Sequence, residues 1–380
     1  MDRLSTILIV LGLLLSACQK HSNTDYEAAL NKNSIADRGT HPYFKQDSFS
    51  WSLITPDQVP LYVLEAGKGA TMVALHGGFG MEHSYMRPFL RPFEKDYHFV
   101  YYDQRGSLRS PVPENDFDRY ITMENMVNDL ELLRLELGEE KLTLVAHSMG
   151  AVLAYEYMRK YPDKVGNVII ISGFTPKFPD SKAAFHDMFL SQQEREQFKT
   201  RPAVQQELDK LRASMDTTTR AYQYLHWRIN AASCQIYKME NWTKMDNAMG
   251  SFNPAINELI GPESNIPWSY FWKFYRYQKQ FNQGKLVYDD RVNDKKPKID
   301  YLPEIKKHPH KISYLMGRYE VGDFNLRLYE RYLSELDNVD IHIFEEACHN
   351  IWMDQPEDFA QVLSFQLAEA ADEELTADKH

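Results

Sequence analysis

Lys141-Leu142-Thr143-Leu144-Val145-Ala146-His147-Ser148-Met149-Gly150-Ala151-Val152-Leu153-Ala154-Tyr155 is the stretch on which the reading of the fold turns. Its first half is an apolar, β-branched run of strand length, and its second half carries apolar residues at helical spacing. Ser148 sits at the junction. A serine between a strand end and a helix start, with small residues two before and two after it, is forced into a sharp turn that exposes its Oγ. Ala146 and Gly150 are those small residues. Glycine is usual at both places, and alanine adds one methyl that still lets the turn close. The N-terminus of the following helix offers unpaired N–H groups and a dipole, both of which favour negative charge on an attacked carbonyl oxygen. Ser148 is therefore expected to be a nucleophile, against the plainer reading of a strand-to-helix turn whose serine caps the helix.

Outward from this stretch, strand-like and helix-like runs alternate. Pro60 to Glu65, Thr71 to Leu75, His98 to Tyr102, Leu142 to Ala146 and Asn167 to Ser172 read as strands, and Met123 to Leu137 and Met149 to Tyr161 as helices. This alternation predicts an α/β fold: a mostly parallel sheet with crossover helices on both faces. From about Phe174 to Lys307 the pattern becomes helical, polar and aromatic, with Trp227, Trp242, Trp268, Trp272, Phe271, Phe274 and Tyr275. Strands then resume at Ile312 to Met316 and Val339 to Phe344, followed by a helix from about Pro356 to Leu367. The expected organisation is a core of residues 43–173 and 308–370 interrupted by a helical cap of residues 174–307. The cap aromatics would mostly form its own core, and some would line a pocket below it.

The strand ends carry the chemistry. Strand Thr71 to Leu75 empties into His76-Gly77-Gly78-Phe79-Gly80, a turn with little side-chain cover, whose N–H groups can approach a substrate oxygen. The N–H of Gly78, with that of Phe79 as the alternative, is expected to pair with that of Met149 in an oxyanion hole. A phosphate cradle would need the Lys-Ser/Thr that is absent here. Strand His98 to Tyr102 ends in Asp103-Gln104-Arg105-Gly106-Ser107-Leu108-Arg109-Ser110, whose charges are expected to fix the loop. A nucleophilic serine needs a base, and the base needs an orienting acid. The late strands supply both: Gly317-Arg318-Tyr319-Glu320 after one, and Glu345-Glu346-Ala347-Cys348-His349-Asn350 after the other. His349 is the expected base and Glu320 the expected acid, with Asp323 on the same loop as its competitor. Cys348 reads as a small buried packing residue.

Taken together, His76-Gly77-Gly78-Phe79-Gly80, Asp103-Gln104-Arg105-Gly106-Ser107, Ser148 in its elbow and Gly317-Arg318-Tyr319-Glu320 resemble the prolyl iminopeptidase branch of the α/β-hydrolase superfamily. The resemblance covers about Tyr43 to Leu367 and agrees with the order serine, acid, histidine along the chain. It implies the α/β-hydrolase fold, a serine–acid–histidine triad, and a helical cap whose glutamates hold the free amino terminus of the substrate. Ala231-Ala232 followed by Glu240 is similar to the family's cap segment, which makes Glu240 the expected amine ligand, with Glu258 or Glu263 as seconds. Phe79 and His147, beside the oxyanion loop and the nucleophile, are expected to line the substrate site with it. The chain departs from the family at Phe79 (proline), Leu108 (glycine), Glu320 (aspartate), His147 (tryptophan), and Ile236 and Met239, where tryptophans are usual. His-Ser-Met-Gly also occurs in esterases and lipases.

At the N-terminus, Ile7-Leu8-Ile9-Val10-Leu11-Gly12-Leu13-Leu14-Leu15 is too short to span a bilayer and ends in Ser16-Ala17-Cys18. Leu15-Ser16-Ala17-Cys18 resembles the lipobox of bacterial lipoproteins. Residues 1–17 would then be a signal peptide, Cys18 the lipidated first residue, and residues 18–42 a flexible polar tether. An ordinary signal peptide is the alternative, and Gln19 fits an outer-membrane destination in the cell envelope. The 380 residues, 43% of them hydrophobic and 13% aromatic, suffice for a large core. A formal net charge of −11 without a basic block argues against a nucleic-acid partner. Of the 3 cysteines, Cys234 and Cys348 are expected to be free. No metal, organic cofactor or protein partner is implied. The expected function is a serine hydrolase acting on the free N-terminus of short peptides. A carboxylesterase, lipase or lactonase is the enzyme alternative, and an inactive binding lipoprotein the alternative of another class.

Overall fold

In the computed structural model, which describes residues 48–78, 81–107, 109–113, 117–245 and 300–377, a single sheet organises the chain. Its strands are β1 (Ser48–Ile54), β2 (Pro60–Ala66), β3 (Thr71–Leu75), β4 (His98–Tyr102), β5 (Leu142–His147), β6 (Val165–Ile171), β7 (Ile312–Gly317) and β8 (Val339–Phe344). They lie in the order β1-β2-β4-β3-β5-β6-β7-β8. The first two pairings, β1 with β2 and β2 with β4, are antiparallel, and all the others are parallel. This is the mostly parallel α/β sheet that the alternation of elements predicts, and it is the α/β-hydrolase fold that the resemblance implies. β1 is the strand not anticipated. It is an edge strand with most of its residues half-buried or exposed, so its sequence lacks the apolar run that burial on both faces imposes.

Alternate residues of the central strands feed two cores. Val73 and Leu75 of β3, Leu144 and Ala146 of β5, and Val168 and Ile170 of β6 pack with the helices Met123–Leu137 and Gly150–Lys160. Met72, Ala74, Val145, Ile169 and Ile171 face the other way, against Tyr85, Phe89 and Phe93 and against Phe359, Leu363 and Leu367 of the helix Pro356–Ala377. Helix Met123–Leu137 starts where the Thr122 side chain accepts the N–H of Asn125. It stops at Gly138, whose φ of 74° suits the left-handed end of a helix.

Between β6 and β7 the described residues are helical: Lys182–Phe198, Pro202–Ser214, Arg220–Ala232 and the 3₁₀ turn Met239–Lys244. Val204, Leu208, Leu211, Tyr222, Ile229 and Ile236 give the last three a core of their own. The insertion opens and closes at the Lys177–Asp300 bridge, beside which the Tyr301 N–H donates to the Pro176 carbonyl at 2.9 Å. Tyr301, Leu302 and Ile305 already belong to the core under the sheet. The aromatic residues Trp268, Phe271, Trp272, Phe274 and Tyr275, and the expected signal, Cys18 and tether, lie outside the described residues. No helix among the described residues is long and apolar enough to cross a membrane.

Candidate active site

Because β3 to β8 run parallel, the loops after them emerge along one edge of the sheet, and Gly78, Ser148, Glu320 and His349 sit in those loops. Ser148 follows β5 with a φ of 53°, in the left-handed region that a side chain rarely adopts. Its backbone is held on both sides: its N–H donates to Ile171 at 3.1 Å, and its carbonyl accepts from Ala151 and Phe174. The small neighbours are dictated by how closely the helix crosses β3. A Cβ on Gly150 would stand 2.3 Å from the Leu75 carbonyl oxygen, so only glycine fits. Ala146, fully buried, fits with its one methyl.

Gly77 is as constrained from the other side, since a Cβ there would lie 2.7 Å from the Cβ of Ser148. The loop after β3 therefore presses directly on the serine. Gly78 has a φ of 58°. Neither its N–H nor that of Met149 donates a hydrogen bond among the described residues. Met149 occupies the cap position before helix Gly150–Lys160. Two backbone donors adjacent to a strained serine form the kind of pair that stabilises an anionic oxygen.

His349 and Glu320 are brought together: Nδ1 of the imidazole lies 2.7 Å from Oε1 of the carboxylate. Both side chains are buried, and the Val321 N–H donates to the same carboxylate oxygen at 2.8 Å. Asp323 is committed elsewhere. It accepts from the N–H groups of Leu328 at 2.6 Å and Tyr329 at 3.0 Å and from Ser191 Oγ at 3.1 Å, tying the start of helix Arg327–Leu333 to the insertion. Burial pushes its carboxyl up to about 7 despite these donors. No hydrogen bond joins Ser148 to His349 among the described residues. What links them is His147, whose ring centre lies 4.9 Å from that of His349.

Two further histidines have tautomers fixed by their partners. The Gln104 N–H donates to Nε2 of His76 at 3.0 Å, so the proton is on Nδ1, which donates to the Gly77 carbonyl at 2.9 Å. Burial holds His76 neutral by lowering its pKa. Tyr85 accepts the Gly77 N–H at 2.6 Å and lies 2.6 Å from Nδ1 of His147. Nothing in the local sequence marks Tyr85, which reaches the serine loop only through the packing of its segment on β3 and β5.

The charged loop after β4 is held by Arg105. Its guanidinium is fully buried, paired with Asp129 through two contacts of 2.6 Å and with Asp57 at 2.8 Å. At the start of that loop Asp103 meets Glu82 and His83, and the three bring ligand-type atoms within 4.8 Å of one another. His83, however, commits its Nδ1 and backbone N–H to Asp103, so the group is a hydrogen-bonded cluster. The insertion meets the histidine loop through Asp354, which accepts from the N–H groups of Tyr237, Lys238 and Cys348. Cys234 and Cys348 are free, and burial raises the Cys348 thiol well above its ordinary value. Glu240 is exposed on the turn Met239–Lys244. Phe79, Glu258 and Glu263 lie outside the described residues.

Comparison with known proteins agrees with this architecture. A sequence model of the alpha/beta hydrolase fold matches residues 70–223. The chain is 34% identical over 110 residues to proline iminopeptidase of Saccharolobus solfataricus, covering 29% of this chain and 35% of that one. It is 32% identical over 109 residues to proline iminopeptidase of Lactobacillus delbrueckii subsp. lactis, covering 28% and 37%. It is also 36% identical over 107 residues to epoxide hydrolase 3 of Mus musculus, covering 28% of each. The matches thus span only 28% to 37% of the length of these relatives. Among solved structures, the proline iminopeptidase-related protein of Thermus thermophilus superposes with a TM-score of 0.57 at 22% identity, over 86% of this chain and 99% of that one. Proline iminopeptidase of Mycobacterium smegmatis gives 0.53 at 15%, over 85% and 99%. At these identities the likeness is one of fold.

Proposed function

We propose that this chain, which has the α/β-hydrolase fold, is a serine hydrolase that releases the N-terminal residue of short peptides, as a prolyl iminopeptidase does. The observation that carries the reading is the His349–Glu320 hydrogen bond beside a serine held at a φ of 53°. With Nδ1 engaged by Glu320, Nε2 of His349 is the nitrogen left to take the Ser148 proton. Oγ then adds to the scissile carbonyl, and the N–H groups of Gly78 and Met149 receive the oxyanion. As the tetrahedral intermediate collapses, His349 gives the proton to the departing amine. Water then enters, activated by the same imidazole, and frees the acid. A hydrogen bond from Ser148 to His349 would form as substrate closes the site, since such contacts tighten on binding. The relatives named proline iminopeptidase support the peptide substrate.

A free α-amine under a lid needs a carboxylate. Glu240 is assigned that role, with Glu258 or Glu263 as seconds, and Phe79 lines the site, whereas His147, also expected there, is buried. The exposure of Glu240 favours a second reading, a carboxylesterase, lipase or lactonase, which needs no such group. The deciding comparison is kcat/KM for a prolyl or alanyl arylamide, its N-acetylated form and a short acyl ester. Turnover of the free-amine arylamide, lost on acetylation and weakened by Glu240→Gln chiefly through KM, supports the peptidase. Ester turnover without arylamide turnover rejects it. Labelling by a fluorophosphonate that Ser148→Ala abolishes separates either enzyme from an inactive binding protein. The sequence Leu15-Ser16-Ala17-Cys18 further supports a lipid anchor on Cys18 in the cell envelope. If Cys18→Ser leaves processing, mass and membrane partition unchanged, the anchor is absent.

A further inference from the structure

His147 Nε2 is buried without a hydrogen bond of ordinary geometry, one residue before the reactive serine, which raises the question of what this ring is for. We infer that Tyr85 and His147 are positioning residues that keep the oxyanion loop in register with the catalytic histidine. The inference rests on Ser148 being the nucleophile and His349 its base.

The contacts form a continuous chain. Gly77 N–H donates to Tyr85 Oη at 2.6 Å, and Oη lies 2.6 Å from His147 Nδ1. Among the described residues Nδ1 is the one acceptor within reach of Oη, and a buried O–H is not left unpaired, so the hydroxyl proton goes to Nδ1. His147 is therefore the tautomer with its proton on Nε2. Burial supports this state from both ends, raising the pKa of the Tyr85 hydroxyl and lowering that of the His147 imidazole. The His147 ring then packs on His349 and, edge-on at 5.1 Å, against Trp352. Tyr85 also leans on Trp352, at 6.4 Å. One phenol and one imidazole thus connect the loops after β3, β5 and β8.

What the chain holds is a peptide direction. The Gly77 carbonyl and the Gly78 N–H belong to one planar unit and point opposite ways. Gly77 is gripped at its N–H by Tyr85 and at its carbonyl by Nδ1 of His76. The His76 contact holds that plane and the Tyr85 contact holds the peptide before it, on which the plane turns, so the Gly78 N–H stays aimed. Without the phenol, the backbone of Gly77 can shift against Ser148, whose Cβ is 2.7 Å from where a Gly77 Cβ would stand. The loss would fall on the transition state, because the oxyanion exists only there.

The test uses the full chain and three variants: Tyr85→Phe, His147→Phe, which keeps a ring and removes the acceptor, and His147→Asn, whose Oδ1 replaces Nδ1. The probe is an alkyl fluorophosphonate. Ser148 Oγ bonds to phosphorus, the P–F bond breaks, fluoride leaves, the serine proton passes to His349, and the phosphoryl oxygen occupies the oxyanion hole. Tyr85→Phe and His147→Phe should lower the maximal phosphonylation rate about ten- to a hundredfold, the loss expected for a displaced catalytic donor. The probe's half-saturating concentration should stay near the wild-type value, and His147→Asn should recover most of the rate. A purely structural role would instead lower Tm with the phosphonylation rate intact, or impair all three variants equally, and either result overturns the inference. If the wild type is not labelled, the nucleophile reading falls and takes the inference with it. A labelled wild type with unchanged Tyr85→Phe rejects the inference alone.

Discussion

Nδ1 of His349 lies 2.7 Å from Glu320, while Asp323, further along the same loop, gives its oxygens to two backbone N–H groups and a serine. The two carboxylates are close in sequence and opposite in role. One orients an imidazole, and the other caps a helix.

Replacing each should separate these roles. In a comparable triad, removing the charge of the acid lowers turnover by about four orders of magnitude. Glu320→Gln is expected to approach that loss in kcat with little change in Tm. Asp323→Asn should lower Tm and leave most of kcat. A larger kcat loss in Asp323→Asn would reverse the assignment.

Asp323 should also leave a mark on stability against pH. Its folded pKa of about 7 stands above the ordinary value of 3.8, so between these two the folded state holds the extra proton. Its contribution is then fully present below the lower value and lost as pH rises through the higher one. The urea midpoint of the wild type, relative to that of Asp323→Asn, should fall across this window. A flat difference would show that the carboxyl is already ionised at the lower pH.

At the elbow, Gly150→Ala would drive a methyl to within 2.3 Å of a backbone oxygen on β3. Backbone cannot step aside as a flexible side chain can, so the helix must move. Destabilisation of at least about 1–3 kcal/mol is expected, with loss of phosphonylation as Ser148 is displaced. Unchanged urea unfolding would mean that the helix does not cross β3 this closely.

Arg105 should be the most costly charge to remove. Arg105→Met leaves Asp129 and Asp57 facing one another without their shared guanidinium, and breaking such a buried pair costs about 3–5 kcal/mol. The effect should appear in the urea midpoint and persist at high salt, because buried charges are poorly screened. A loss abolished by salt would place the pair at the surface.

Much of the architecture was legible from local pattern alone. Strands β3, β5 and β6 are buried along their whole length, so they must be apolar throughout, and the helices between them show their own periodicity. The elbow was legible too, because the steric demand at Ser148 is met by residues two positions away. Contacts that depend on how distant loops converge were not. β1 carries no apolar signature at the sheet edge, and position in the loop favoured Glu320 while leaving Asp323 as a competitor. The pairing of Arg105 with Asp129 and Asp57 and the link from Gly77 through Tyr85 to His147 join residues whose neighbours in sequence say nothing of their partners. Residue type and order were enough to say which side chains are equipped for the chemistry and in what succession they emerge from the sheet. Which carboxylate meets the imidazole, and which phenol meets the Gly77 N–H, became fixed only in the folded chain, because hydrogen bonds are made at distances that the packing of all its elements sets.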